Sequence, residues 1–211
     1  FYPRGAIVRK GGSGVDASDL PHRRTDLVAK RPLSWGGYGV ELWQNSTVEE
    51  VSKIRSPCDL VVQERVSDLM ELRGGEFSLR LYVVCRDGRV YWSKRCLCKL
   101  AEEGGFITNS AFTGDARRQF EGFAALAKAV GGESELEKRI SHVVNDTFAR
   151  LGGLDLIPPA VAHIPKILGF DFLVRKDGEL VLIEVNATPG LVARDDSGDE
   201  ANVKKAVLED A

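Results

Sequence analysis

The run KILGFDFLVRKDGELVLIEVNATPGL, from Lys166 to Leu191, constrains the fold more than any other stretch. Two β-rich segments, KILGFDFLVRK and ELVLIEVNA, flank Asp177-Gly178. Asp-Gly between such segments predicts an antiparallel hairpin on a type I′ turn, with positive φ at both central residues. A two-residue turn sets Lys176 opposite Glu179, and counting back brings Asp171 opposite Glu184. Asn186 shares the face of Glu184, because strand side chains alternate. Opposed like charges repel, and the neighbours Phe170, Phe172, Ile183 and Val185 predict a half-buried hairpin where water screens them poorly. For an Asp and a Glu alone, the plainer reading is two acids facing solvent at a sheet edge. The added Asn186, the apolar flanks and the register favour a divalent cation between them. Asp, Glu and an amide oxygen are hard ligands of the kind Mg²⁺ takes, with phosphate completing its shell.

A second Asp-Gly hairpin, EFSLRLYVVCRDGRVYWSKRCLCKLA, occupies 76–101. Its two-residue turn predicts Arg80 opposite Arg95, with Glu76 opposite Lys99 on the same face. Opposed guanidiniums either splay into water, as long Arg side chains commonly do, or share an anion. One hairpin thus concentrates positive charge and the other negative.

DLVAKRPLSWGGYGVELW, 26–43, predicts two strands around a glycine-rich turn holding Gly36, Gly37 and Gly39. Glycines let backbone N–H groups approach phosphate oxygens, and Lys30 at the strand end supplies a point charge. The spacing is not a Walker A, since no GK[ST] follows. By itself such a hairpin is more often only a turn.

The remaining elements are ordinary. VEEVSKIRS, 48–56, reads as a short helix with Thr47 as N-cap, and DLVVQERV, 59–66, as a buried strand. DARRQFEGFAALAKAV, 115–130, reads as a helix stopped by Gly131-Gly132. SELEKRISHVVNDTFARL, 134–151, opens with a Ser-x-x-Glu capping box and carries an apolar face of Leu136, Ile140, Val143, Val144, Phe148 and Leu151. His142 and Asn145 lie off that stripe. His163 reads as structural, and an acidic tail becomes helical from about Glu200.

With 43% hydrophobic residues in 211, the chain can bury a core in one compact domain or two small lobes. The formal net charge of -2 speaks against a nucleic-acid partner, which would need a basic excess. No apolar run approaches membrane-spanning length, so no membrane partner is expected. The four cysteines, Cys58, Cys85, Cys96 and Cys98, lack CxxC spacing and read as reduced thiols of a cytoplasmic protein, Cys96 and Cys98 sharing one core face. Phe1 in place of Met reads as an excised fragment or a processed product.

GFDFLV at 169–174 followed by IEVNATPGL at 183–191 resembles the metal-binding end of ATP-grasp ligases, nearest to the tubulin tyrosine ligase-like branch. FSLRLYVV resembles the FDLRLYVLV run of that branch. The 30–39 loop resembles its KPxxGxxGxGI strand–loop–strand, and Thr108-Asn109 its HLTN motif with Phe106 in place of His. FYPRGAIV resembles the segment before its central lobe, which implies that the family's N-terminal lobe lies upstream. The resemblance runs collinearly from FYPR to NATPGL.

It implies an α+β ATP-grasp fold of antiparallel sheets and packed helices, with nucleotide between two lobes, 1–66 and 67–211. Lys30 matches the lysine at the α-phosphate, and Gly36, Gly37 and Gly39 the loop over the triphosphate. Gln63, Glu64, Arg65 and Val66 fall at the hinge that bonds the adenine edge, Glu64 and Arg65 replacing the usual Lys-Tyr. Arg80 matches the arginine near the γ-phosphate and acyl-phosphate, Lys99 stands where the family has Arg, and Asn109 would be a polar contact near metal or substrate. Asp171, Glu184 and Asn186 match the holders of Mg²⁺ bound to ATP. The implied activity joins a carboxylate to an amine through an acyl-phosphate, adding an amino acid to a peptide or protein, tubulin among the candidates. A different ATP-grasp ligase, of the ribosomal-protein glutamate ligase or D-alanine ligase type, and a non-catalytic nucleotide-binding module are the alternatives. A protein kinase fits less well, since no HRD or DFG motif occurs.

Overall fold

The computed structural model describes residues 2–12, 15–16, 19–32, 39–101, 119–152, 163–192 and 198–211. They form two compact units, Tyr2–Ser67 and Asp68–Ala211. Among the described residues no helix is long and apolar enough to cross a membrane.

In the first unit, β1 (Gly5–Val8), β2 (Val15–Asp16), β3 (Thr25–Lys30), β4 (Val40–Ser46) and β5 (Leu60–Glu64) make an antiparallel sheet in the order β2-β1-β5-β3-β4. Leu27 and Ala29 alternate inward along β3 to meet Ala6, Val8, Val51 and Val62, the period of a half-buried strand. Helix α1 is only Val48–Val51, capped by a reciprocal Thr47–Glu50 box. It is shorter than the expected 48–56, and Val51 is its one fully buried residue.

The second unit holds β6 (Glu71–Leu72), β7 (Gly75–Arg86), β8 (Arg89–Leu100), β9 (Gln119–Glu121), α2 (Phe123–Val130), α3 (Glu133–Arg150), β10 (Lys166–Val174), β11 (Leu180–Asn186) and α4 (Asp199–Asp210). Its sheet runs β11-β10-β7-β8-β9, with β6 added beside β7. Phe77, Leu79, Leu81, Cys96, Cys98, Phe170 and Phe172 share a core with Phe123, Leu126, Ile140, Val143 and Val144 of α2 and α3. Tyr82 and Leu97 belong to a second cluster with Val203 and Val207 of α4. Strand alternation then places Arg80, Lys99 and Asp171 on the same side of the sheet as Tyr82 and Leu97.

Two helix expectations need correcting. Residues 119–121 of the anticipated 115–130 helix are strand β9, paired to β8, and α2 starts only after Gly122. A Cβ at Gly122 would stand 2.1 Å from the Cys98 sulfur, so the chain turns against β8 there. Helix α3 starts at Glu133 on the backbone of Gly132 with no side-chain cap, which leaves Ser134 inside the helix and dissolves the capping box. Leu136, Ile140, Val143 and Val144 are buried as expected, whereas Leu151, beyond the last turn, is 53% exposed. Gly131 closes α2 in the left-handed conformation, φ 102°.

Both hairpins depart from simple counting. At Asp87-Gly88 both φ values are positive, 51° and 68°, and Arg86 faces Arg89 as a type I′ turn requires. The register then slips: Ser93, Lys94 and Arg95 are accommodated between the Val83–Trp92 and Leu81–Cys96 pairs. Leu97, not Arg95, therefore opposes Arg80, and Ser78, not Glu76, opposes Lys99. The slip sets Cys96 rather than Lys94 against buried Leu81 and leaves Lys94 and Arg95 exposed. No guanidinium pair forms there.

In the β10–β11 hairpin the turn is wider than expected. Gly178 has φ 81° but Asp177 is not in the positive region; Gly178 N–H donates to the Arg175 carbonyl and Arg175 N–H to that of Glu179. Arg139 of α3 fixes the turn by donating to the Asp177 carbonyl at 3.0 Å. Val174 consequently faces Leu180 and Phe172 faces Leu182. A bulge at Ile183 then resets the ladder so that Asp171 faces Glu184 and Gly169 faces Asn186.

Candidate functional site

Neighbouring strands β7 and β10 bring Arg80 directly beside Asp171. The Arg80 guanidinium donates from Nε to Oδ1 and from Nη2 to Oδ2, each at 2.5 Å. This is the two-point fork that a planar guanidinium makes with a carboxylate. Both side chains are nearly buried, 10% and 11% exposed. The Lys99 Nζ lies 4.0 Å from Asp171 Oδ1. Glu184, opposite Asp171, is exposed and makes no ion pair within 4.0 Å among the described residues. Asn186, on the same side of β11, is half-buried.

Gly169 is what lets this cluster close. A Cβ there would stand 3.0 Å from Pro189 Cβ, 3.1 Å from Arg80 Nη1 and 3.2 Å from Arg80 Cδ. The glycine of GFDF therefore leaves its space to the guanidinium.

The charges are strongly coupled. Burial opposes the Arg80 charge and is the largest influence, but the Asp171 carboxylate, with smaller help from Tyr82 and Glu184, holds the guanidinium above its ordinary range. For Lys99 burial wins: desolvation lowers its pKa, Asp171 opposes that, and Arg80 and Lys204 add to it. The Tyr82 phenol is pushed up to about 12, chiefly by burial, so it stays a neutral donor.

Lys204 and Glu200 of α4 were not singled out from the sequence. The Lys204 amino group donates to Glu200 Oε1 at 2.7 Å and to the Val192 carbonyl at 2.8 Å. It ties α4 to the end of the segment that follows Asn186. The other Glu200 oxygen, Oε2, is buried without a hydrogen-bond partner among the described residues. The only signal in the sequence was the Glu200–Lys204 spacing of i and i+4.

In the first unit, Lys30 ends β3, half-buried and registered with Val40 and Val61. Gly39 has φ 71°, and a Cβ there would meet Arg31 Cδ at 2.9 Å, so this position requires glycine. Gln63 lies mid-sheet between Gly5 and Val28. The carboxylate of Glu64 is paired with Arg4 at 2.6 Å and its N–H donates to the Arg4 carbonyl. Arg65 N–H donates to the Asp26 carbonyl, its guanidinium lies 3.8 Å from the Asp26 carboxylate, and Val66 is buried. Within this unit the N–H groups of Glu64 and Arg65 are therefore already engaged. Gly36, Gly37 and Asn109, with Trp35, Tyr38, Phe106 and Thr108, lie outside the described residues.

Among the described residues no three His, Cys, Asp or Glu side chains come together as a metal cluster. The expected trio has two carboxylates and one amide, and its chemistry fits a hard dication: Glu184 has no ion-pair partner among the described residues and opposes Asp171 across the ladder. Asp171 is the member already held by a cation.

The YheC/D-like ATP-grasp family matches residues 42–209. The chain belongs to that family. The match runs from within β4 to the end of α4, so the YheC/D-like domain takes in the whole Arg80–Asp171–Glu184 cluster, while Lys30 precedes it. No curated protein matches the chain. The antiparallel sheets with packed helices are thus an ATP-grasp fold, which implies ATP binding and ligase chemistry. The family matched is the YheC/D-like one, so the ATP-grasp part of the sequence resemblance stands and the tubulin tyrosine ligase-like branch is not named by it.

Proposed function

We propose that this YheC/D-like ATP-grasp chain is an ATP- and Mg²⁺-dependent carboxylate–amine ligase. The observation that carries this reading is the pairing of two cations, Arg80 and Lys99, with two carboxylates, Asp171 and Glu184, on one face of one sheet. Cations of this kind attract phosphoryl oxygens, and hard oxygen donors beside them suit a metal-bound triphosphate.

In the proposed reaction a substrate carboxylate oxygen attacks the γ-phosphorus of ATP, giving an acyl-phosphate and ADP. A neutral amine then attacks the acyl carbon, phosphate departs, and the amine proton passes to solvent or a carboxylate. Arg80 and Lys99 would hold phosphoryl oxygens as charge shifts, and Lys30 would hold those nearer the nucleoside. Asp171, Glu184 and Asn186 would hold Mg²⁺, which when bound neutralises charge on the phosphates. Burial lowers the Lys99 pKa, and a phosphoryl anion beside it would raise it again by favouring the charged form. The resemblance of the FSLRLYVV and GFDF…IEVNATPGL runs to the tubulin tyrosine ligase-like branch supports an amino acid joined to a peptide or protein acceptor.

Calorimetric titration of a non-hydrolysable ATP analogue, with and without Mg²⁺, tests the reading on wild type and Glu184→Gln. Mg²⁺-dependent binding that weakens about tenfold or more in the variant supports it, and ADP release can then be screened with amino acids and peptides. Wild-type protein that fails to bind the analogue under either condition sinks it.

A further inference from the structure

One proposed metal ligand, Asp171, is already engaged by a cation of the chain itself. Both Asp171 oxygens are held by Arg80 at 2.5 Å, and Lys99 stands 4.0 Å from Oδ1. A dication arriving alone would have to approach two buried cations, in surroundings that screen charge far less than water does. It would find one carboxylate, Glu184, that has no ion pair among the described residues, and one amide, Asn186. Mg²⁺ gives up its water reluctantly and is not held by so small a set without phosphate.

We propose that Asp171 is an exchangeable ligand, held by Arg80 in the free protein and passed to Mg²⁺ only when a triphosphate takes over the Arg80 guanidinium. This rests on the ATP- and Mg²⁺-dependent reading above and goes beyond it by fixing how the two ligands depend on each other. A guanidinium fork fits phosphate as well as carboxylate, so Arg80 can change partners without losing a paired charge. Gly169 leaves the guanidinium room where it lies beside Asp171: a Cβ there would stand 3.1 Å from Arg80 Nη1 and 3.2 Å from Cδ. Asp171 meanwhile moves from one cation to another and is never left buried and unpaired, which would be costly. Metal and nucleotide therefore bind cooperatively, and Arg80 is the residue that keeps metal out until nucleotide arrives.

The experiment uses Mn²⁺ as the probe, counted by electron paramagnetic resonance and calorimetry on the whole chain, with and without the ATP analogue. Wild type should bind Mn²⁺ weakly alone and far more tightly with the analogue. Arg80→Met releases Asp171 from the guanidinium fork, so it should bind Mn²⁺ alone about tenfold or more tighter than wild type, and the gain should vanish in Arg80→Met with Asp171→Asn. Arg80→Lys, which keeps charge but loses the fork, guards against loss of fold in the methionine variant and should also exceed wild type. If neither Arg80 variant binds Mn²⁺ better than wild type, while wild type still binds the Mn²⁺–analogue pair, the exchange is wrong and the nucleotide reading survives. Wild type that binds neither probe overturns both.

Discussion

Arg80 on β7 and Asp171 on β10 face each other across adjacent strands and close a two-point ion pair that is almost wholly out of water. The pair couples a strand drawn from one hairpin to a strand drawn from the other, so electrostatics and sheet order reinforce one another.

Breaking that pair from one side should be expensive. Asp171→Asn leaves a buried guanidinium without its carboxylate, and a loss of ~3–5 kcal/mol is expected for removing one partner of such a pair. Replacing both, as Arg80→Met with Asp171→Leu, should recover most of it, since an apolar pair of similar volume is often neutral. Urea unfolding of Arg80→Met, Asp171→Leu and the double variant gives the coupling energy. A single variant as stable as wild type would show that the pair contributes nothing to the fold.

Gly169 should be intolerant of the smallest side chain. Its φ is not in the left-handed region, so the expected cost is crowding rather than backbone strain. A methyl 3.1 Å from Arg80 Nη1 and 3.0 Å from Pro189 must displace one of them. Gly169→Ala should lose ~1–3 kcal/mol, the usual range for overpacking, and should weaken nucleotide binding because Arg80 moves. Thermal unfolding together with the calorimetric titration checks both effects.

Much of this site was legible in the sequence, partly through two departures that cancel. A type I′ turn at Asp177-Gly178 brings Asp171 opposite Glu184 by counting. The real turn takes one more residue, and the bulge at Ile183 restores the same opposition. In the β7–β8 hairpin the turn itself was right, but the slip around Ser93 to Arg95 moved Arg95 away from Arg80. Alternation reports which face a residue takes, not where a ladder slips. The Arg80–Asp171 pair was hidden for another reason: β7 and β10 are far apart in the chain, and no local pattern says which strands become neighbours. Strand β9 was hidden because three residues, Gln119 to Glu121, continue the helical spacing of α2.

Alkali should destabilise the protein through its buried thiols. Burial, with a smaller contribution from Glu121 and against Arg73, pushes Cys98 up to about 12 from an ordinary value of 9.0. Cys96 is raised well above that value, mainly by burial, with Cys98 and Glu121 adding. The native pKa lies above the unfolded one, so the unfolded chain loses these protons first. The contribution is whole below pH 9 and is lost as pH rises from 9 towards 12, at up to ~1.4 kcal/mol per pH unit for each thiol. Urea midpoints measured from pH 8 to 10.5 should fall less steeply in Cys98→Ala than in wild type, whatever the absolute stability of the variant. In native protein a thiol reagent should reach half-buried Cys58 before Cys85, Cys96 or Cys98.

Lys204 offers a way to disturb the site from outside it. Its amino group is buried and divided between Glu200 and the Val192 carbonyl, while the second Glu200 oxygen has no partner among the described residues. Lys204→Met therefore removes the cation and leaves a buried carboxylate uncompensated, with an expected loss of ~3–5 kcal/mol. Adding Glu200→Leu removes the stranded charge as well, so the double variant should regain stability. Function should not follow. Both variants lack the bond to Val192, so residues 187–192, which carry Pro189 beside Gly169, lose that tie to α4. Limited proteolysis should cut between 187 and 192 in both variants and spare wild type, and both should bind the ATP analogue more weakly. Recovery of nucleotide affinity along with stability in the double variant would show that Lys204 serves only the packing of α4.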